Sequence, residues 1–377
     1  MWTSSPKLGI VVAGAAITAA CGSGSVITGD DGGREGSSAC SPNSAGVTDD
    51  TTFPPTVDAF CQVSIKSSAV VPNDPTVVPY DLNTPLFSDY ALKFRTVWLP
   101  KGASAPYAAQ GELQFPVGTV ITKSFGWPAD FRKPTASVHW AETRVLVHTP
   151  KSGWKGVSYE WNEAQTEAKL AAGGDVLSFS FVSAEGKTEK PEYLVPSLAQ
   201  CPKCHDDAGT FTTLGPTAAQ LNGSYAYAGG AANELAEWSK LGILSAAPAP
   251  GKAPALPVWS DPSTGTIEQR ARAYLQANCA FCHNPGGEAR TTGLVLEYSE
   301  TNPTKYGVCK PPVAAGKAAG NDQYDVVPGH PEKSILIRRV TSTEPGVAMP
   351  ELERSLEHVE GVALLTAWVL GLPGSCP

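Results

Sequence analysis

The chain's 377 residues carry 36 acidic against 28 basic side chains, a net charge of -8, with 42% hydrophobic and 17% charged residues. That apolar content excludes a wholly disordered chain, and an acidic balance with no basic run excludes nucleic acid as a partner class. Abundant Gly (37) and Pro (33) favour loops and β-structure over long helices, and the length leaves room for two or three domains of roughly 100–200 residues each.

The chain opens on a leader pattern. Lys7 is the sole charge before Asp30, and residues 8–20 are an unbroken run of apolar, small and hydroxyl residues. The run is too short for a bilayer core that needs around 20 residues, and it fits the apolar region of a signal peptide. It ends Thr18-Ala19-Ala20-Cys21, which resembles a bacterial lipobox and implies that Cys21 becomes the lipidated first residue of an exported protein. The plainer alternative is an ordinary signal peptide cut nearby. Residues 22–55, rich in Gly, Ser, Asp, Thr and Pro, read as a flexible linker.

Residues 56–190 hold short apolar segments between turn signals. Strands are expected over 117–125, 143–147, 156–161 and 176–182, a pattern of an antiparallel sandwich-like domain. Glu160, Glu163 and Glu167 are spaced as a solvated face rather than an acid pair. The sequence carries no phosphate loop, no Ser/His/Asp signature and no zincin motif.

Nine cysteines and six histidines carry the chemistry. Cys201-Pro202-Lys203-Cys204-His205 and Cys279-Ala280-Phe281-Cys282-His283 are both C-x-x-C-H, the attachment motif of c-type haem. Two thiols meet the two vinyl positions on one edge of the porphyrin, and the adjacent His comes to lie under the iron. With this composition a random chain would hold about 0.003 such motifs, so two call for a cause. Two C-x-x-C pairs could instead hold zinc, or one could be a redox dithiol beside a βαβ pattern. The paired His residues and the export signal favour haem. Cys40, Cys61, Cys309 and Cys376 remain, enough for two disulfides with three possible connectivities.

The first motif, in residues 191–257, is irregular. Pro191 and Pro196 preclude a long leading helix, and a helix is expected over 232–241 with Leu235, Trp238 and Leu241 on one face. His139 and His148, in the β-rich region, are candidates for a second axial ligand, with Tyr225, Tyr227, a Lys or an open position as alternatives. The second motif follows a helix expected over 266–278. Pro285-Gly286-Gly287 breaks the chain after it, a short helix is expected over 331–340, and Met349-Pro350 stands in a loop. Ser355 is a candidate cap for a last helix over 356–370. His330 and His358 read as surface residues. Met1 falls in the leader, so Met349 is the one Met expected in the mature chain.

Helix, C-x-x-C-H, loop, Met-Pro and a terminal amphipathic helix resemble a class I cytochrome c over residues 258–373. The resemblance implies that the first and last helices cross near Tyr274 and Trp368, and that Met349 is the distal ligand opposite His283. The fold class expected is therefore α+β: an N-terminal antiparallel β-sandwich-like domain, a short haem-binding helical segment, and an all-α cytochrome c-like domain over 258–377.

Longer phrases, among them residues 79–90, Phe115-Pro116-Val117-Gly118-Thr119, Glu142-Thr143-Arg144, Trp161-Asn162-Glu163-Ala164-Gln165-Thr166 and residues 278–287, resemble a poorly characterised family of two-haem c-type cytochrome lipoproteins of Gram-negative bacteria. The resemblance covers residues 75–372. It implies two covalent haem c groups, electron transfer with redox partner proteins outside the cytoplasm, membrane attachment through a lipid, and the company of a parallel β-helix protein. Two functions are expected from different classes. One is an electron carrier. The other is a haem enzyme or ligand sensor of peroxidase type, with the first haem as an open reactive centre.

Overall fold

The computed structural model describes residues 40–352 and 354–377. The leader, Cys21 and residues 22–39 lie outside the described residues. Strand (26%) outweighs helix (20%), and none of the described helices is long and apolar enough to cross a membrane.

The centre is a six-stranded antiparallel meander: β1 (Val78–Tyr80), β2 (Leu92–Trp98), β3 (Val120–Pro128), β4 (Val138–Thr149), β5 (Gly153–Trp161) and β6 (Ala168–Leu170). Its strands pair in sequence order. Alternation along β4 shows how both faces are used. Val145 and Val147 point into a cluster with Val120, Val157 and Tyr159, closed by Val57, Phe60, Val63 and Val70 from the chain before the sheet. Leu146 points the other way, with Ile121 and Val97, against Phe115, Leu221, Leu235 and Trp238. With both faces covered, hydroxyls inside the sheet must pair with each other. Thr96 and Thr122 do so at 2.6 Å, and Ser124 and Thr143 at 2.7 Å.

This corrects the expected sandwich. Alternation marks the face of a strand that is buried, not what buries it. Here the cover is not a second large sheet but two-stranded ribbons and short helices: α1 (Cys201–His205), α2 (Ala218–Leu221) and α3 (Glu234–Lys240). Glu160, expected on a turn or helix face, lies on β5 opposite Glu142. The segment expected as one strand over 176–182 is divided between Asp175–Ser178 and Phe181–Val182.

The expected all-α C-terminal domain is also overturned. Its helices are α4 (Ile267–Asn278), α5 (Ile335–Thr341) and α6 (Val359–Gly371). The chain between them runs through 3-10 turns at Arg290–Thr292, Gly316–Ala319 and Pro331–Lys333, and through lone β-bridges Val308–Val326 and Tyr324–Ser334. Gly and Pro punctuate these stretches and keep them out of helix. Helices α4 and α6 do pack together. The contact is made at Gly361, where a Cβ would stand 2.6 Å from the Tyr274 ring. Trp368 lies in one core cluster with Ala271, Tyr274 and Leu275 of α4 and packs edge-on to Tyr306.

Residues 40–55, placed in a linker by composition, are fastened to the sheet. Val47 is buried in the first cluster, and the Asp49 carboxylate accepts from the Ser152 amide and the Thr149 hydroxyl. Two disulfides staple the ends: Cys40–Cys61 closes 21 residues and Cys309–Cys376 closes 67. In the chain-entropy account the longer loop gains more, about 4 against about 3 kcal/mol. Urea denaturation should therefore show a larger loss for C309S/C376S than for C40S/C61S. The reverse order would mean that native contacts, not loop closure, set their worth.

Candidate functional site

The first motif is α1 itself. Pro202 occupies its first turn, where a missing N–H costs nothing. A hairpin follows, pairing Asp206 with Phe211 and Asp207 with Thr210. Its two turn residues, Ala208 (φ 51°) and Gly209 (φ 89°), both have the positive φ of a tight two-residue connection. The hairpin folds Phe211 back onto His205, ring on ring at 5.0 Å and 7°. His205 Nδ1 lies 2.8 Å from the Thr212 carbonyl. A carbonyl only accepts, so Nδ1 is the donor, the contact that orients the ring of a metal-ligating imidazole.

This unit sits on the second face of the sheet. The Cys201 thiol reaches the Gly156 carbonyl of β5 at 3.9 Å, and a Cβ on Gly156 would meet Leu146 at 2.7 Å and the Phe211 ring at 3.1 Å. His148 shares that face. It pairs across the strands with Trp154, as Leu146 pairs with Gly156, and its ring stacks on Trp154 at 4.8 Å. Its Nδ1 lies 2.7 Å from the Phe115 carbonyl, so Nδ1 is the donor there. His139 is exposed on the far part of β4. Tyr225 and Tyr227 pack on each other on the hairpin Ser224–Tyr227/Gly230–Asn233. Burial raises both phenols far above their ordinary value, so they stay protonated.

The second motif is launched by α4. Thr266 and Gln269 form a reciprocal capping box at its start, and Cys279 caps its end. The His283 amide donates to the Cys279 carbonyl at 2.9 Å. Asn284 Oδ1 accepts from Gly286 and Gly287 at 2.7 and 2.8 Å. A Cβ on Gly287 would stand 2.4 Å from the Cys282 carbonyl, so the turn closes only without a side chain. Burial pushes the His283 imidazole down to about 4. Burial likewise pushes the thiols of Cys279 and Cys282 up to about 12 and about 11.

Met349 and Cys279 line one small cavity, with Tyr274, Val340 and His358. Arg354 holds the Met349 loop. Its guanidinium donates to the carbonyls of Met349 (2.9 Å), Ser342 (2.7 Å) and Leu356 (3.1 Å), and the Met349 amide donates to Arg339. His358 is not the expected surface residue. It stacks on Phe87 at 4.1 Å, meets Trp259 edge-on, and shares a 2.9 Å hydrogen bond with the Tyr274 hydroxyl. Burial pushes its imidazole down to about 3, so it stays neutral. His330 is exposed and pairs with Glu332.

Sequence reasoning missed Asp89. Fully buried, it accepts from the amides of Ser355 and Leu356 and from the Ser355 hydroxyl. It thereby ties the loop before α6 to the sheet. Ser355, the expected cap, is spent on this contact instead, and α6 starts at Val359.

The two motifs meet. The Cys282 thiol lies 3.7 Å from the Lys203 carbonyl, and the Ala208 amide donates to the Gly286 carbonyl at 3.1 Å. All four motif cysteines stay out of disulfides. Among the described residues, no three His, Cys, Asp or Glu side chains gather as metal ligands. No protein-family profile, curated protein or solved structure matches the chain.

Beside the first motif, Glu112 accepts from the Thr213 hydroxyl at 3.2 Å, and burial pushes its carboxyl up from 4.5 to about 7. A carboxyl raised on folding favours the folded state while protonated. Its contribution is complete below pH 4.5 and lost as the pH rises through about 7. Glu112→Gln should flatten the fall in stability across that window, read by urea midpoints at several pH values. An unchanged profile would place the titration elsewhere.

Proposed function

We propose that the chain is an exported carrier of two covalently bound c-type haems that transfers electrons. The observation that carries this reading is the division of the cysteines. Cys40, Cys61, Cys309 and Cys376 pair with each other, while the cysteines of the two C-x-x-C pairs, each followed by His, take no part in those disulfides. In an oxidising compartment, cysteines kept out of disulfides usually serve another chemistry. A structural zinc would need four ligands drawn together. Haem attachment asks of each motif only two thiols and one imidazole.

The donor set fits that group. Cys201 and Cys204 would hold the first haem, and His205 would supply an imidazole to its iron. Cys279 and Cys282 would hold the second with His283, and Met349, which lines the cavity beside Cys279, would be its distal ligand. Bound there, haem supplies a one-electron ferric/ferrous couple whose potential follows its axial ligands and burial. The chain's own part is to orient and to exclude water. The Phe211 ring and the Thr212 carbonyl fix His205. Burial keeps His283 neutral, with a lone pair to offer. The Arg354 guanidinium fixes the Met349 loop through the carbonyls of Met349, Ser342 and Leu356. His148, oriented by Phe115 on the same sheet face, is the candidate ligand that would close the first site. The reading keeps Cys21 as a lipid anchor on a membrane of a Gram-negative cell. Redox proteins are the partners, a parallel β-helix protein among them. At a net charge of -8, a basic docking patch on such a partner would speed encounter.

Haem stoichiometry and spectra of the exported protein test this. Pyridine haemochrome assay should give two haems per chain, C201A/C204A and C279A/C282A each removing one. Met349→Ala should lower the potential of the second haem, since a thioether ligand raises it. His148→Ala should turn a cyanide-inert first haem into one that binds cyanide. Native protein whose first haem already takes cyanide would favour the reactive-centre function instead. Haem absent from wild-type chain made in a host that attaches haem c would overturn the reading.

A further inference from the structure

The contact between the two motifs is built rather than incidental. On one side stands the hairpin that follows α1, held by the pairs Asp206–Phe211 and Asp207–Thr210. Its tip residue Ala208 is left-handed at φ 51°, a conformation unfavourable for a non-glycine residue. That same residue donates its amide to Gly286 at 3.1 Å. On the other side the turn after Cys282 is fixed by the Asn284 side chain, which takes the Gly286 amide at 2.7 Å. Gly286 lies so near the hairpin that a Cβ there would stand 1.8 Å from Asp207 Oδ1. A side chain at 286 would fit only if the Asp207 carboxylate moved out of the way. The result brings the Cys282 sulfur within 3.7 Å of the carbonyl of Lys203, which lies inside the first C-x-x-C.

We propose that the 206–209 hairpin tip and Gly286 form a clamp that locks the two attachment peptides together, so that the two haems are held as one coupled pair. The proposal rests on the reading that both motifs carry haem. A c-type haem is fixed through its thioether edge. A sulfur of the second motif that touches the backbone of the first therefore puts the two bound edges on neighbouring peptide. Their spacing is set by the hairpin and the Asn284 turn, not by chance encounter. Gly286 is a positioning residue in this scheme: it touches neither sulfur, and acts through the distance it allows.

Circular dichroism of the Soret band, on holoprotein shown to contain two haems, tests the clamp. Two nearby haems split the band into a couplet of opposite signs, and its amplitude falls steeply with separation. Native protein should show the couplet. Gly286→Val, whose side chain would enter the space that Asp207 Oδ1 fills, should reduce its amplitude at least twofold while two haems per chain are kept. Adding Asp207→Gly, which removes the atom nearest the new side chain, should return part of it. A native protein with two haems and no couplet would overturn the clamp and leave the haem reading standing. So would a folded Gly286→Val variant with an unchanged couplet. Fewer than two haems in the native protein would overturn the haem reading and the clamp with it. The native measurement decides even where the variant fails to fold.

Discussion

A sheet with apolar residues on both faces needs cover on both, and that need organises the molecule. The meander from β1 to β6 buries Val145 and Val147 on one side and Leu146 and Ile121 on the other. The first face is closed by the chain that precedes the sheet, and the second by the connection between β2 and β3 together with the chain that follows the sheet. The first C-x-x-C-H motif belongs to that second cover. Its Cys201 and Phe211 rest on Gly156 of β5, where a larger residue would collide with Leu146 and the Phe211 ring. The glycine that thins the sheet surface thus creates the seat for the motif.

The second motif depends on a different support. Helix α4 delivers it, and Asp89 secures the far side of its cavity. A fully buried carboxylate is tolerable only when donors surround it, and here the loop before α6 supplies them. Burial still pushes the Asp89 carboxyl up, the three donors working against that shift. The loop so anchored continues into His358, whose ring closes the cavity that Met349 and Cys279 share. The sheet region and the helices around the second motif are therefore one packed body, joined at Asp89 and again where the two motifs touch.

Much of this was legible in local sequence. The helix expected over 266–278 is Ile267–Asn278, because its apolar positions and its Thr266–Gln269 cap agree. The helix expected over 232–241 is Glu234–Lys240, capped by Asn233. Strands were legible as segments, but their partners were not, since alternation carries no information about what lies across the interface. That is why a sandwich was expected where ribbons and short helices provide the cover. The all-α reading of the C-terminal part failed for a related reason: three amphipathic segments in a familiar order say nothing about the long Gly- and Pro-marked chain between them. His358 was misplaced because no local sequence signal marks its burial. Only the fold brings Phe87 and Trp259 to it. The meeting of residues 201–208 with 282–286 had no local signal at all. It is a contact of long sequence separation, and Gly286, its enabling residue, reads in sequence as a mere turn.

The central claim is that the four motif thiols are attachment points. Intact-mass spectrometry under denaturing conditions addresses it most directly, on chain exported by a host able to attach haem c. The account predicts a polypeptide mass raised by two haems that survive denaturation, with no alkylatable thiol left in either motif. A chain at its bare polypeptide mass, with four motif thiols open to alkylation, would contradict it.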